Sequence, residues 1–419
     1  MTAPAWLVAG APRGPARGSG DELEELLSEP VGHAREREQT TFERASGPGP
    51  DRIVLFGAGR LGRRTLAGLR AAGVDPVAFS DNRPGSWGTE LDGVPVLAPE
   101  QAAARHGADA VFVVTIWGAG STHRLEDTRA QLASLGCERV VPAAWLAWRH
   151  AEQLLPFYAM DLPSRLLEQS DDVRRGFAIL ADDPSRAEYV SQVRWRLDGD
   201  PGGLAHPVPG TQYLVTDVAT VLEGEVVLDC GAYDGDTLRS WLAERGPGFR
   251  AYVAMEPDPA TRARLERCVA ALEDGARSRV RVLPYSVGGT TGTVTFSASG
   301  SLSSSLRDDG PGVGGIEVEC VRLDDLAELE ETPPTFVKMD IEGAELDALA
   351  GASSLVTGTH PMLAVAAYHR QDHLWRVPLA LRALWSRYSL SLRPHNEQGW
   401  DLICYAVPPG RVPDGRVRQ

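Results

Sequence analysis

Twice in this chain of 419 residues, a strand-length apolar run ends in a glycine turn that opens a helix. The first run is 53–56, followed by Gly57, Gly59 and Gly62; the second is 226–229, followed by Gly231 and Gly235. A strand that feeds a tight turn and then a helix is the front of a β–α–β unit. Such units build a mostly parallel sheet with helices on its faces. Further apolar runs keep that rhythm at 77–80, 110–116 and 139–142, then at 251–256, 280–283, 335–340 and 362–369. The length suits two domains, at roughly 100–200 residues each. The fold class is therefore α/β in two successive nucleotide-type units, without an internal sequence repeat.

The second unit closes with runs at 388–393 and 401–407 around a turn at 396–399, which reads as an antiparallel hairpin at the edge of the parallel sheet. An insertion with its own strand signals, 292–297 and 316–322, encloses a Ser/Gly-rich loop at 299–315. Between the units, Trp145, Trp148, Leu154, Phe157, Tyr158, Leu166, Phe177, Leu180, Tyr189, Val193 and Trp195 recur at helical spacing. The expected layout is a mobile tail and helix at 1–45, a small Rossmann-like domain at 46–145, a helical connector or lid at 146–214 that packs against the second domain, and the larger α/β domain at 215–410.

Charge and composition narrow the partners. With 42 basic and 57 acidic residues the net charge is −15. That opposes a nucleic-acid or acidic-membrane partner, which needs a basic face. No run approaches the roughly 20 apolar residues of a membrane span. The N-terminus lacks the basic start of a signal peptide. Cys137, Cys230, Cys268, Cys320 and Cys404 are scattered without metal or redox spacing, which fits buried thiols in a reducing cytoplasm. Lys338 is the only lysine.

The strongest constellation is VVLDCGAYDGDT. Asp229 ends a buried strand, and Gly231, Ala232, Gly235 and Asp236 form the turn into a helix. Glu256 ends the next strand about 20 residues beyond the turn, where an acidic side chain can accept from both hydroxyls of a ribose. Asp234 and Asp236 are poor neighbours for a pyrophosphate. A cofactor with a sulfonium, an amino-acid end and no phosphate fits better, with its adenine near 283–288, where Ser286 lies. The second constellation is TFVKMDIEGAEL, which delivers Lys338 and Asp340 to a strand end ahead of Glu342 and Glu345. The neighbouring strand ends at Tyr368 and His369, followed by Asp372 and His373. Ligands of open α/β sheets bind beyond the carboxyl ends of strands. His369 is thus the first candidate for a general base and Asp340 the second, while Glu342 and Glu345 suit the positive end of a helix. Asp340, Glu342, Glu345 and His369 offer ligands for a divalent metal, but their spacing is not diagnostic and a metal is not favoured.

These motifs, together with SGSLSSSL, VRLDDL, FVKMDIEGAE and AAYHRQDHLWRVP, resemble the FkbM-type methyltransferase family over roughly half the chain. The resemblance implies a class I methyltransferase sheet, with S-adenosylmethionine as donor and a small acceptor such as a sugar, aminocyclitol or other secondary metabolite, as in natural-product or antibiotic biosynthesis. It places Asp229, Gly231, Gly235 and Glu256 at the cofactor, with Ser304 near it. It also places Asp340, Glu342 and His369 at the reaction site, and makes Asp324 structural or a support behind the site residues.

The first unit carries G-x-G-x-x-G in strand-to-helix context, with Asp81 about 20 residues on, the dinucleotide pattern. No second catalytic set follows it. It resembles the small module at the front of some sugar-modifying enzymes, for which packing, homodimerisation or substrate presentation competes with nucleotide binding. The leading reading is an O-methyltransferase. N-methylation of an amino sugar or aminocyclitol, an NAD-dependent oxidoreductase and a non-catalytic nucleotide-binding protein are the alternatives.

Overall fold

The computed structural model describes residues 18–47, 52–118, 122–296 and 316–413. Two compact units divide the chain. Unit 1 is Met1–Arg174, Arg186–His206 and Asn396–Trp400; unit 2 is Arg175–Ser185, Pro207–His395 and Asp401–Gln419.

Unit 1 is built on β1 (Ile53–Phe56), β2 (Ala78–Ser80), β3 (Glu90–Leu91), β4 (Val94–Leu97), β5 (Val111–Val114) and β6 (Val140–Pro142), in the order β3-β4-β2-β1-β5-β6. Every pairing is parallel except β3 with β4. Every residue of β1 and β5 is buried, because helices cover both faces and the strands need apolar side chains throughout. Leu55 and Phe79 face a core with Leu61, Leu66 and Leu69; Val54, Phe56 and Ala78 face another with Ala102 and Leu132. The β3–β4 hairpin went unread in the sequence. Its signal is Asp92-Gly93, both at positive φ as a tight hairpin turn requires, but two-residue β3 is too short to show alternation.

Most of the expected connector belongs to unit 1 and is not a separate body. Trp148 and Phe157 join the core of Leu55, and Trp195 packs on Trp117 with ring centroids 5.5 Å apart. Two helices, Ser19–Leu27 and Val31–Ser46, stand where one charged helix was expected, and Phe42 is fully buried.

Unit 2 contains β7 (Val226–Cys230), β8 (Ala251–Met255), β9 (Val280–Leu283), β10 (Ser286–Val287), β11 (Gly292–Phe296), β12 (Ile316–Val321), β13 (Phe336–Met339), β14 (Met362–Ala366), β15 (Ser389–Pro394) and β16 (Leu402–Val407). Seven of these form one sheet in the order β15-β16-β14-β13-β7-β8-β9, and β10-β12-β11 form the small insertion sheet. β16 alone runs antiparallel to its neighbours, so the closing hairpin is present with its second strand inserted beside β14. The order reverses at β7 and β13, which places their carboxyl ends at the crevice where doubly wound sheets bind ligands. No helix among the described residues is long and apolar enough to cross a membrane.

Candidate active site

The crevice begins with a cross-strand pair. Lys338 on β13 stands opposite Asp229 on β7, and its ammonium lies 3.0 Å from Asp229 Oδ1 with both side chains buried. The Tyr252 hydroxyl donates to Asp229 Oδ2 at 2.7 Å, and Lys338 also donates to the Gly231 carbonyl. The only lysine thus neutralises the buried carboxylate and holds the glycine turn. Gly231 sits at φ +82°, and a Cβ there would lie 2.1 Å from the Asp340 carbonyl oxygen, so the turn and the end of β13 meet backbone to backbone.

Five amides of this turn are taken by the protein. Gly231 and Ala232 donate to the Met255 carbonyl, Tyr233 to Glu256 Oε2 at 3.0 Å, Gly235 to the Ala232 carbonyl and Thr237 to Asp236 Oδ1. A pyrophosphate would have to displace them. Glu256 also accepts from the Asp258 amide at 2.8 Å, and burial raises its carboxyl to about 7 against those two hydrogen bonds. Burial likewise pushes Asp236 up, with Lys338 opposing. Once Lys338 and Asp229 cancel, Asp236, Glu256 and Asp340 give the crevice an acidic balance.

On the other side of β13, Asp340 is gripped by two phenols. The Tyr213 hydroxyl donates to its Oδ2 at 2.6 Å and the Tyr368 hydroxyl to its Oδ1 at 3.3 Å. His369 Nε2 is 3.3 Å from Asp340 Oδ1 and 3.7 Å from Glu342 Oε2. The opposite ring nitrogen, Nδ1, is 2.7 Å from Glu345 Oε1, which also accepts from the Ile341 amide at 2.9 Å. Glu345 is held well below the usual carboxylate range: burial would raise it, but His369 and His373 prevail. An ionised carboxylate only accepts, so Nδ1 carries a proton in either form of the ring, and Nε2, which faces Asp340 and Glu342, is the nitrogen that gains or loses one. Burial alone would lower the His369 pKa, but Glu345, Glu342 and Asp340 together push it to about 10. Tyr213, Tyr233 and Glu342 all hold positive φ, so backbone strain gathers around this crevice.

The predicted site residues separate into groups. Asp340, Glu342 and His369 converge; Gly231, Ala232, Gly235, Asp236 and Glu256 form the turn and the adjacent strand end. Asp229 is engaged by Lys338 and Tyr252. The Ser286 hydroxyl donates to the Glu319 carbonyl within the insertion sheet, and Ser304 lies outside the described residues. Asp324 accepts from the amides of Ser354 and Leu355 at the start of a helix. Trp375 is completely buried and packs in the core. Asp340, Glu345 and His369 each offer a metal-ligand atom within 4.8 Å of the others. Glu345 and Asp340, however, lie against opposite nitrogens of one ring, an orienting arrangement more than a convergent ligand set. Tyr213 went unread: it precedes the strand rhythm and carries no local motif. The sequence offers Glu345 as a candidate metal ligand, and nothing local to it signals that it orients His369.

Residues 229–388 match the family model described as the methyltransferase FkbM domain. Over these residues the chain is an FkbM methyltransferase domain. A curated relative, the 2-O-methyltransferase NoeI of Sinorhizobium fredii, is 29% identical over 181 residues, covering 38% of this chain and 69% of the relative. The crystal structure of methyltransferase FkbM from Methylobacillus flagellatus KT superposes with a TM-score of 0.71 at 22% identity, over 93% of this chain and 97% of that one. The FkbM domain is thus a methyltransferase on a Rossmann-like sheet, and the fold likeness extends well beyond the residues of the family model.

Proposed function

We propose that the FkbM domain moves a methyl group from S-adenosylmethionine to a hydroxyl of a small metabolite, a sugar or natural-product intermediate, in the cytoplasm. The observation that carries the reading is the aim of His369: Nδ1 is locked by Glu345, and Nε2 faces the crevice beside the glycine turn. The cofactor suits the residues. Glu256 has two acceptor positions beyond those filled by Tyr233 and Asp258, enough for the two ribose hydroxyls. The acidic balance of Asp236, Glu256 and Asp340 favours a cationic donor, and the occupied turn amides disfavour a phosphate. When bound, S-adenosylmethionine supplies an electrophilic methyl on a good leaving group.

The chain then has to hold the acceptor in line and take its proton. Asp340 and Glu342 orient the hydroxyl, and His369 Nε2 receives the proton once the ring is neutral. Much of the acceleration comes from this alignment. An oxygen nucleophile gains more from a base than an amine does. The relative named as a 2-O-methyltransferase supports oxygen over nitrogen. No step is assigned to a metal. The test is calorimetry with S-adenosylmethionine and S-adenosylhomocysteine, followed by methyl transfer to a panel of hydroxylated sugars. Glu256→Ala is expected to weaken cofactor binding on the order of 100-fold. His369→Asn is expected to keep cofactor binding and lower kcat by about 10²–10⁴. Binding indifferent to Glu256, or turnover indifferent to His369, would overturn the assignment.

A further inference from the structure

Unit 1 holds a cavity of about 340 Å³ at the carboxyl ends of β1, β2 and β4, lined by Ala58 of the glycine loop, by Arg63 and Arg83, and by Leu91 and Val96 on an apolar side. From this cavity we infer that unit 1 binds a nucleotide by its phosphate, at a site separate from the FkbM crevice.

The three glycines of the loop have different reasons. A Cβ on Gly57, at φ +119°, would lie 2.7 Å from Ile116 Cγ1, and one on Gly62 would lie 2.0 Å from the Gly57 carbonyl oxygen. Folding requires both. Gly59 has φ −81°, and a Cβ there would meet nothing within 4 Å. The fold leaves open space beside Gly59, as close approach of a ligand to backbone needs. Gly59, at the start of the helix Arg60–Ala71 that follows, has no side chain to cap it, and the positive end of the helix dipole lies there.

The charged groups select the ligand. Asp81 is the acid that would hold a ribose in an NAD site. Here its Oδ2 accepts from the Ala58 amide at 2.8 Å and from Arg83 at 3.0 Å, and its Oδ1 accepts from Arg83 Nε at 3.0 Å. Asp81 therefore ties the loop to Arg83. Arg83 keeps a side chain 68% exposed at the cavity. Arg63 is exposed and has no ion-pair partner among the described residues. Two guanidiniums and a helix N-terminus meet at one cavity in a chain of net charge −15. Arg63 can meet phosphate oxygens through paired N–H donors, while Arg83, whose Nε and Nη2 are held by Asp81, has Nη1 left to donate. The volume lies at the low end of ligand pockets, roughly 300–1,000 Å³, and suits a mononucleotide over a dinucleotide.

The experiment is calorimetry on the full chain with ADP, adenosine, inorganic phosphate and NAD as separate titrants. It uses the Glu256→Ala background so that adenosine is not captured in the FkbM crevice. ADP is expected to bind while adenosine and NAD do not. Arg63→Ala should weaken ADP by about tenfold or more. Gly59→Leu should abolish ADP binding without lowering Tm, because the added side chain occupies empty space. In the Glu256-intact protein, both variants should leave S-adenosylmethionine binding unchanged, which keeps this site's failure distinct from failure of the methyltransferase reading. Absence of ADP binding at millimolar concentration would overturn the inference. So would binding indifferent to Arg63 and Gly59, or inorganic phosphate binding as tightly as ADP.

Discussion

His369 is a buried imidazole with three carboxylates around it, and its proton is the most consequential one in the crevice. Because the folded pKa is raised to about 10, the protonated ring stabilises the fold fully below the ordinary histidine value of about 6.5. That contribution is lost as pH rises through the folded value. A ring that must be neutral to accept a proton therefore works better as pH rises, and a cationic cofactor beside it would lower the pKa toward neutrality. Glu345 is the largest of the carboxylate contributions that hold the proton on. Glu345→Gln should move the His369 titration to lower pH, read by NMR of the ring protons with His369→Asn assigning the signal. An unmoved titration would mean that Glu345 packs without tuning the ring. Glu345 is a positioning residue: it touches the base and acts through it.

At the scale of elements, the pair joining β7 to β13 organises the crevice. Asp229 and Lys338 are register partners, so the strands deliver opposite charges to one buried point. Removing one partner of such a pair leaves a bare buried charge, typically a loss of about 3–5 kcal/mol. Lys338→Met is expected to lower stability by that order in urea titration, and adding Asp229→Leu should recover most of it. A second substitution that worsens the first would show that Asp229 contributes through Tyr252 and not through the ion pair. The β15 edge of the sheet is covered by a different device. Residues 175–185 lie along β15, where Ala181 N donates to the Leu390 carbonyl and Leu392 N to Ser185 Oγ. Arg393, with a side chain 2% exposed, ties Asp182 of this strap to Asp217. An uncovered edge strand is a template for association.

For the whole molecule, the consequence is that neither unit is a continuous piece of sequence. Unit 2 borrows its strap from upstream, and unit 1 includes Asn396–Trp400, where Trp117 packs on Trp400 at 4.8 Å and donates to the Gln398 carbonyl. A fragment of residues 207–419 keeps the whole FkbM motif set but loses the strap. It is expected to self-associate more than the full chain in light scattering after size exclusion. A monodisperse fragment with the full chain's stability would show that the strap is dispensable. Both nucleotide-type sheets, both glycine turns and the strand-end acids Glu256 and Asp340 were legible in the sequence. Buried parallel strands need unbroken apolar runs, and positive-φ or close-approach turns need glycine, so these signals are local. Tertiary structure alone decided that Tyr213 grips Asp340, that Glu345 turns His369, that Lys338 neutralises Asp229, and that residues 175–185 belong with a strand some 200 residues later. Those choices depend on which side chains meet across the folded sheet, and a long-range contact leaves no periodicity behind in the chain.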